Sequence, residues 1–137
     1  MRVCGIEIKS RTATLVVLEE TNNVIKMVQT KPLKIELEDP SIQLSIKTFS
    51  ASIQDFFTSH NVEKVVVKEG ISKGKFSSGS SVFKIETIIQ LSDVDVELIK
   101  PQTLSAFLKK DSPGLESENL KKYQHVAFQV AYYGLKA

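Results

Sequence analysis

Residues 65–86, VVVKEGISKGKFSSGSSVFKIE, decide how the rest of the chain is read. Three consecutive valines with no polar side between them form the short apolar run of a strand buried on both faces of a sheet. The run closes on an acid, Glu69. A Gly/Ser/Lys loop follows, and then Val82, Ile85, Ile88 and Ile89 recur at helical spacing. The order strand, acid, loop, helix leaves a carboxylate at the end of a buried strand. Beside it lies a segment in which Lys73 and Lys75 flank Gly74, and Ser80 sits at the start of the helix. Backbone N–H groups, the helix dipole and the two lysines make that segment an anion or nucleic-acid site in one reading. In the other it is a surface loop with a serine cap. It is neither a Walker A loop nor a dinucleotide fingerprint.

Upstream of this stretch, Ile42, Ile46, Phe49, Ile53, Phe56 and Phe57 recur at steps of three and four from Pro40, which predicts an amphipathic helix ending near His60-Asn61. The first third reads as strands. RVCGIEIKS and TATLVVLEE are joined by a short turn, and Asn22-Asn23 marks the next turn. One further strand then runs into KPLKIELED, where Leu33, Ile35 and Leu37 alternate with Lys34 and Glu36, and Pro32 suits an edge. Downstream, DVDVELIK alternates as a strand, and Pro101 opens a helix at a position where its missing N–H is harmless. DSPGLES breaks the pattern. A last helix is predicted from about residue 117 to 135, packing through Leu120, Tyr123, Ala127, Val130, Ala131 and Gly134. The predicted order is β-β-β-α-β-α-β-α-α, an α/β domain with a mixed five-stranded sheet flanked by helices.

The bulk properties agree with one domain over residues 1–137. At this length about two-thirds of the unfolded surface is buried, and the chain is 42% hydrophobic and 25% charged. A net charge of +2 does not by itself indicate nucleic acid or membrane, so any basic footprint rests on where the lysines stand. Besides the loop, Lys100, Lys109, Lys110, Lys121 and Lys122 are open to two readings, a joined patch or an ordinary solvated surface. The single cysteine, Cys4, excludes an internal disulfide and reads as a small core residue. There is no signal-peptide pattern and no run of the roughly 20 apolar residues a bilayer span needs, so the cytosol is the default expectation.

The element order, with an acid inside the first strand and another closing the strand at Glu69, resembles the ribonuclease H-like superfamily and, within it, the Holliday-junction resolvases. CGIEIKSRTATLVVLE, VVVKEGISKGKFSSGSSVFKIETIIQL and VDVELIKPQTLSAFLKK carry this likeness. More narrowly, KGKFSSGSSVFKIETIIQL, ELIKPQT and YQHVAFQVAYYGLK resemble a small bacterial family known only as domain of unknown function 3010.

In ribonuclease H-like nucleases, three or four carboxylates at the ends of the central strands hold two divalent ions about 4 Å apart. The resemblance therefore implies Glu7 and Glu69 as catalytic and metal-binding residues, with Mg²⁺ or Mn²⁺ as the cofactor if the chain is an enzyme. Two departures stand out. Glu7 occupies a position usually held by Asp, and a misplacement on the order of 1 Å can cost about 10²-fold in rate. The last helix, which in the nucleases contributes acids in a pattern like Asp-Ala-x-Asp-Ala, contributes none here. One register puts His125 at the first of those positions, as a ligand or base, and another puts Gln129 near the second. Helical spacing turns His125 away from the packing face, towards solvent. Glu7 has a plain alternative too, since Ile6 and Ile8 point to the other face and leave it on a wet one.

Two functions follow as expectations. The first is a nucleic-acid- or protein-binding module on this scaffold with an incomplete nuclease site. The second is a divalent-metal-dependent nuclease in which Glu7, Glu69 and His125 form the site. By analogy with resolvases a homodimer is expected, with Phe128, Tyr132 and Tyr133 either on its interface or packed against the PQTLSAFLKK helix. No membrane partner is expected.

Overall fold

The structure, a computed structural model, describes residues 1–71, 79–114 and 120–137. Lys73 and Lys75 lie outside the described residues, as do residues 115–119. The first two strands, β1 (Arg2–Lys9) and β2 (Thr12–Thr21), form an antiparallel hairpin in which Lys9 pairs with Thr12. Ser10 turns it with a positive φ of 55°. Asn22 and Asn23 also have positive φ, 53° and 65°, the primed geometry that matches strand twist, and they lead into β3 (Val24–Val28). The turn signals of the sequence thus act as read.

Where one strand was expected to follow Asn23, there are two. β3 pairs with residues 17–21 of β2, and a separate β4 (Lys34–Glu36) pairs with residues 12–14 of the same strand. β2 is ten residues long, so one edge of it accommodates both short partners. The sheet consequently has six strands rather than five, in the order β3-β2-β1-β5-β6 with β4 also on β2. The alternation read in KPLKIELED holds. Ile35 and Leu37 are buried while Lys34 and Glu36 are exposed.

Helix α1 (Gln43–Ser59) crosses over to β5 (Lys64–Lys68), which is parallel to β1. Asn61, with a φ of 52°, ends α1. The N–H groups of Asn61 and Val62 reach back to the carbonyls of Thr58 and Phe57, so a left-handed residue satisfies the orphan carbonyls. Helix α2 (Ser80–Gln90) then leads to β6 (Asp95–Ile99), parallel to β5. Helix α3 (Pro101–Lys110) follows directly, with Pro101 in its first turn.

The last helix is shorter than expected. A 3₁₀ turn at Lys122–Gln124 precedes α4 (His125–Lys136). Buried Gln124 accepts the Lys121 N–H at 3.0 Å through its side chain and so fixes the entry. Tyr123, expected on the packing face, is 37% exposed, with the Lys34 ammonium 3.8 Å from its ring centroid. Phe128 is buried instead, against Val16 and Leu18. Tyr132 and Tyr133 both pack on Phe107 of α3, with centroids 6.1 and 5.2 Å apart, so of their two readings the one against the PQTLSAFLKK helix is observed.

Side-chain alternation divides the core between two faces. Cys4, Ile6, Val65 and Val67 meet α1 and α2 on one, while Val3, Val16, Leu18 and Val66 meet α3 and α4 on the other. Val65, Val66 and Val67 are all fully buried, which is why the strand reads as wholly apolar. Burial also pushes the Cys4 thiol well above its ordinary pKa. The reactive species is the thiolate, so a disulfide reagent should label the native protein at least about 10²-fold more slowly than the urea-unfolded chain. Fast labelling in native buffer would contradict this placement. Among the described residues, no helix is long and apolar enough to cross a membrane.

Candidate functional site at the carboxyl ends of β1 and β5

From β1 the chain continues to β2 on one side, and from β5 it continues to β6 on the other. β1 and β5 are parallel neighbours, so the connections diverge between them. In α/β sheets such a divergence opens a crevice beyond the carboxyl ends of the strands, and that is where ligands bind. The two acids singled out from the sequence flank it. Glu7 lies in β1, with Thr14 of β2 opposite. Glu69 follows β5 and continues its ladder, donating its N–H to the Ile99 carbonyl at 2.8 Å.

Glu7 is only 8% exposed, and no hydrogen bond or ion pair joins its carboxyl to any described residue. Among the described residues no fully buried side-chain oxygen lacks a partner, so the Glu7 carboxyl reaches solvent at this end of the strand although the residue as a whole is buried. Its parity with Val3 and Gly5 directs it to the face that α4 covers. The polar row at this level of the sheet includes buried Thr14 and half-buried Lys68, the residue one step beyond the Ile6–Val67 pairing.

Helix α4 lies unusually close to this face. A Cβ at Gly5 would stand 2.2 Å from the Ala127 carbonyl oxygen and 2.3 Å from the Ala131 nitrogen. One at Gly134 would meet Val3 Cγ1 at 2.6 Å and Val66 Cγ2 at 2.8 Å. The last turn of α4 therefore covers the start of β1, and its first turn, beginning at His125, lies towards the Glu7 end. His125 is half-buried, not turned out to solvent as helical spacing alone suggested, and Gln129 is half-buried as well. No hydrogen bond links His125 to Glu7. From His125 to Lys136 the helix contains no acid.

Glu69 is half-buried, and alternation beyond Lys68 turns it to the opposite face, where α2 packs. The two acids thus approach the strand ends from opposite sides of the sheet and do not share a face.

A third carboxylate, which the sequence reading passed over, stands beside Glu69. Glu86 of α2 is 6% exposed, and its Oε2 accepts the Gly70 N–H at 2.6 Å. Burial lifts its carboxyl above the ordinary range. The Gly70 bond opposes that rise, and the neighbouring Glu69 charge adds to it. The available signal was an acid within the apolar stripe of Val82, Ile85 and Ile89.

Ser80 is exposed as the first residue of α2. Gly79 provides the cap position without a side-chain bond, so the serine cap is not formed. Lys100, Lys109, Lys110, Lys121 and Lys122 are all exposed.

Among the described residues no three His, Cys, Asp or Glu side chains group as metal ligands. Glu7 and Glu69 are oxygen donors of the kind Mg²⁺ accepts, but they stand on opposite faces of the sheet and do not form one set. That ion keeps several waters and is held by one or two carboxylates together with substrate phosphates.

A mixed sheet with an antiparallel hairpin on one side, parallel strands on the other and helices on both faces is the ribonuclease H-like fold. The chain belongs to the family described as protein of unknown function (DUF3010), whose family model matches residues 1–134. No curated protein matches the chain. It is similar in fold to Thermus thermophilus RuvC in complex with Holliday junction substrate, with a TM-score of 0.68 at 14% identity over 99% of this chain and 96% of that one. The structure of Thermus thermophilus RuvC alone gives 0.65 at 13% identity, over 96% and 91%. The fowlpox virus resolvase with its Holliday junction DNA gives 0.53 at 18%, over 98% and 97%.

Proposed function

We propose that this chain is a nucleic-acid-binding domain on a resolvase-like scaffold, engaging phosphates at the carboxyl ends of β1 and β5, with an incomplete nuclease site. The observation that carries this reading is α4. It lies backbone to backbone on β1 with its first turn towards Glu7, and from His125 to Lys136 it carries no acid, whereas the nucleases' last helix contributes acids. The full-length likeness to a RuvC bound to Holliday junction substrate supports branched DNA as the ligand class. Lys73, Lys75 and the N-terminal end of α2 at Ser80 are the proposed phosphate contacts, and a homodimer belongs to the same proposal.

Fluorescence anisotropy with a four-way junction tests it. Affinity should fall steeply with added salt, and the Lys73→Ala/Lys75→Ala double variant should lower the logarithmic salt slope by about 2, one for each phosphate no longer neutralised. Glu7→Gln should bind the junction as the wild type does. No junction binding at low salt would remove the proposal, and an unchanged slope would remove the loop from it.

A second reading, a metal-dependent nuclease, is favoured by the place of Glu7 in a central strand at the crevice, with its carboxyl bonded to no described residue. Glu7 would then offer Mg²⁺ or Mn²⁺ a carboxylate beside substrate phosphates, with Glu69 reaching the ion only around the strand end from the other face, and such an ion stabilises negative charge on phosphodiester oxygens. His125 is its proposed base.

A further inference from the structure

We infer that the slot between β3 and β4, beside buried Gln124, binds a small carboxylate with a compact apolar body. Neither reading of the crevice enters this inference. The slot arises because two short strands share one edge of β2. β3 ends opposite Val17 and β4 begins opposite Thr14, so residues 29–33 pass from one to the other outside either ladder. The Leu15 N–H ties that segment back, donating to the Leu33 carbonyl at 3.0 Å. The opening that results has a volume of about 240 Å³. Val16, Met27 and Leu33 supply apolar lining, and Thr30, Lys121 and Gln124 supply polar lining. Apolar walls with a few placed polar groups are the usual composition of a small-molecule site.

Gln124 distinguishes this slot from a mere gap beside the sheet. The residue is 2% exposed, yet only one end of its amide is used. Oε1 accepts the Lys121 N–H at 3.0 Å, and Nε2 donates to no described residue. Nε2 is not sealed in, because no fully buried side-chain nitrogen among the described residues lacks a partner. The surface it keeps faces the slot that Gln124 lines. Two N–H donors on a nearly buried side chain are costly to leave unbonded, so an acceptor held in the slot is stabilised there. Charge selects the acceptor. Lys121 is exposed, and no acid is among the described lining residues. A carboxylate can accept from the amide and answer the ammonium charge together, and such charge-assisted bonds are about twice as strong as neutral ones. Size sets the rest. A cavity of about 150 Å³ takes benzene, so this slot has room for a ring or short branched chain with its carboxyl group. The apolar body would lie on Val16, Met27 and Leu33, which a phosphate would leave uncovered.

The test is a titration with benzoate followed by ¹H–¹⁵N spectra, with benzyl alcohol as the neutral probe of the same size. The expected result is a saturable shift of the Gln124 side-chain amide and of the Met27 and Thr30 backbone amides. Its dissociation constant should be of about millimolar order, with benzyl alcohol about 10-fold weaker or more. Gln124→Glu keeps the oxygen that accepts the Lys121 N–H and sets a second oxygen against the ligand. It should weaken benzoate by more than about 10-fold, read at Met27 and Thr30. Lys121→Gln should weaken it by a smaller factor, because that charge is exposed. Leu33→Phe fills the opening and should abolish the shifts with the Gln124 amide intact, which keeps the inference testable if Gln124→Glu does not fold. No saturable shift up to about 0.1 M benzoate would overturn the inference, since water then serves the amide and the slot is only spacing between two strands. Equal affinity for benzoate and benzyl alcohol would overturn it too, because the slot would then read apolar bulk and not charge. Wild-type affinity in Gln124→Glu or in Leu33→Phe would place benzoate elsewhere and sink it equally.

Discussion

Replacing Gly5 with alanine is expected to lower folding stability by about 3 kcal/mol or more and the melting temperature by roughly 10 °C. The added Cβ would stand 2.2 Å from Ala127 O, 2.3 Å from Ala131 N and 2.8 Å from Ala131 Cα, all of them backbone atoms of α4. No side chain can rotate to relieve that. Gly5 itself cannot retreat, because β1 is hydrogen-bonded to β2 on one side and β5 on the other. The remaining response is to lift α4 by about an ångström or more towards ordinary van der Waals separation. That loosens Val3, Val16, Leu18, Phe128 and Val130, all buried under the helix. Overpacking of this kind costs about 1–3 kcal/mol where side chains can adjust, and more where they cannot. Gly114→Ala is the control, since no described residue lies within 4 Å of a Cβ there, and it should change stability by less than about 0.5 kcal/mol. Urea denaturation of both variants gives the comparison. A Gly5→Ala protein within about 1 kcal/mol of wild type would mean that α4 does not sit on β1 as described.

Much of this architecture was legible because local pattern and tertiary demand coincide. The three valines of β5 are apolar throughout because helices cover both sides of that strand, and the change from alternation to helical spacing after Pro40 marks the passage from hairpin to crossover. The elements that were misread depend on distant partners. Nothing local separates β3 from β4. The separation exists because ten-residue β2 has room for two short neighbours on one edge. Phe128 and Tyr123 exchanged roles for a similar reason. Phe128 meets the β2 residues Val16 and Leu18, and Tyr123 lies in the 3₁₀ turn ahead of α4, under Lys34.

The candidate site divides along the same line. Glu7 and Glu69 were visible as acids interrupting or ending apolar strands. Their arrival from opposite faces of the sheet follows from parity and register, which no single strand displays. Glu86 was hidden by its surroundings. It stands in an apolar helical stripe, and its one bond is to the Gly70 amide, a backbone partner far away in sequence.

Glu7→Gln is expected to separate stability from ligand binding more sharply than any other substitution. The wild-type carboxylate sits mid-strand, 8% exposed, between isoleucines that face the other side, and no described residue bonds to it. No fully buried side-chain oxygen among the described residues lacks a partner, so the carboxyl reaches solvent, and the isosteric amide should leave stability within about 0.5 kcal/mol. The same change should weaken Mn²⁺ binding by more than about 100-fold if Glu7 is a ligand, since losing a direct donor costs at least as much as losing a supporting one. Unchanged stability together with a loss of binding is the signature of a residue that serves a ligand and not the fold. Urea denaturation and Mn²⁺ calorimetry on one preparation report both quantities. Lower stability in Glu7→Gln would show that the charge has a structural partner after all, and the metal reading would then lose its main support. Unchanged stability with no Mn²⁺ binding in either protein would remove the metal reading and leave Glu7 without a ligand role, and junction binding equal in the two proteins would then stand on the phosphate contacts alone.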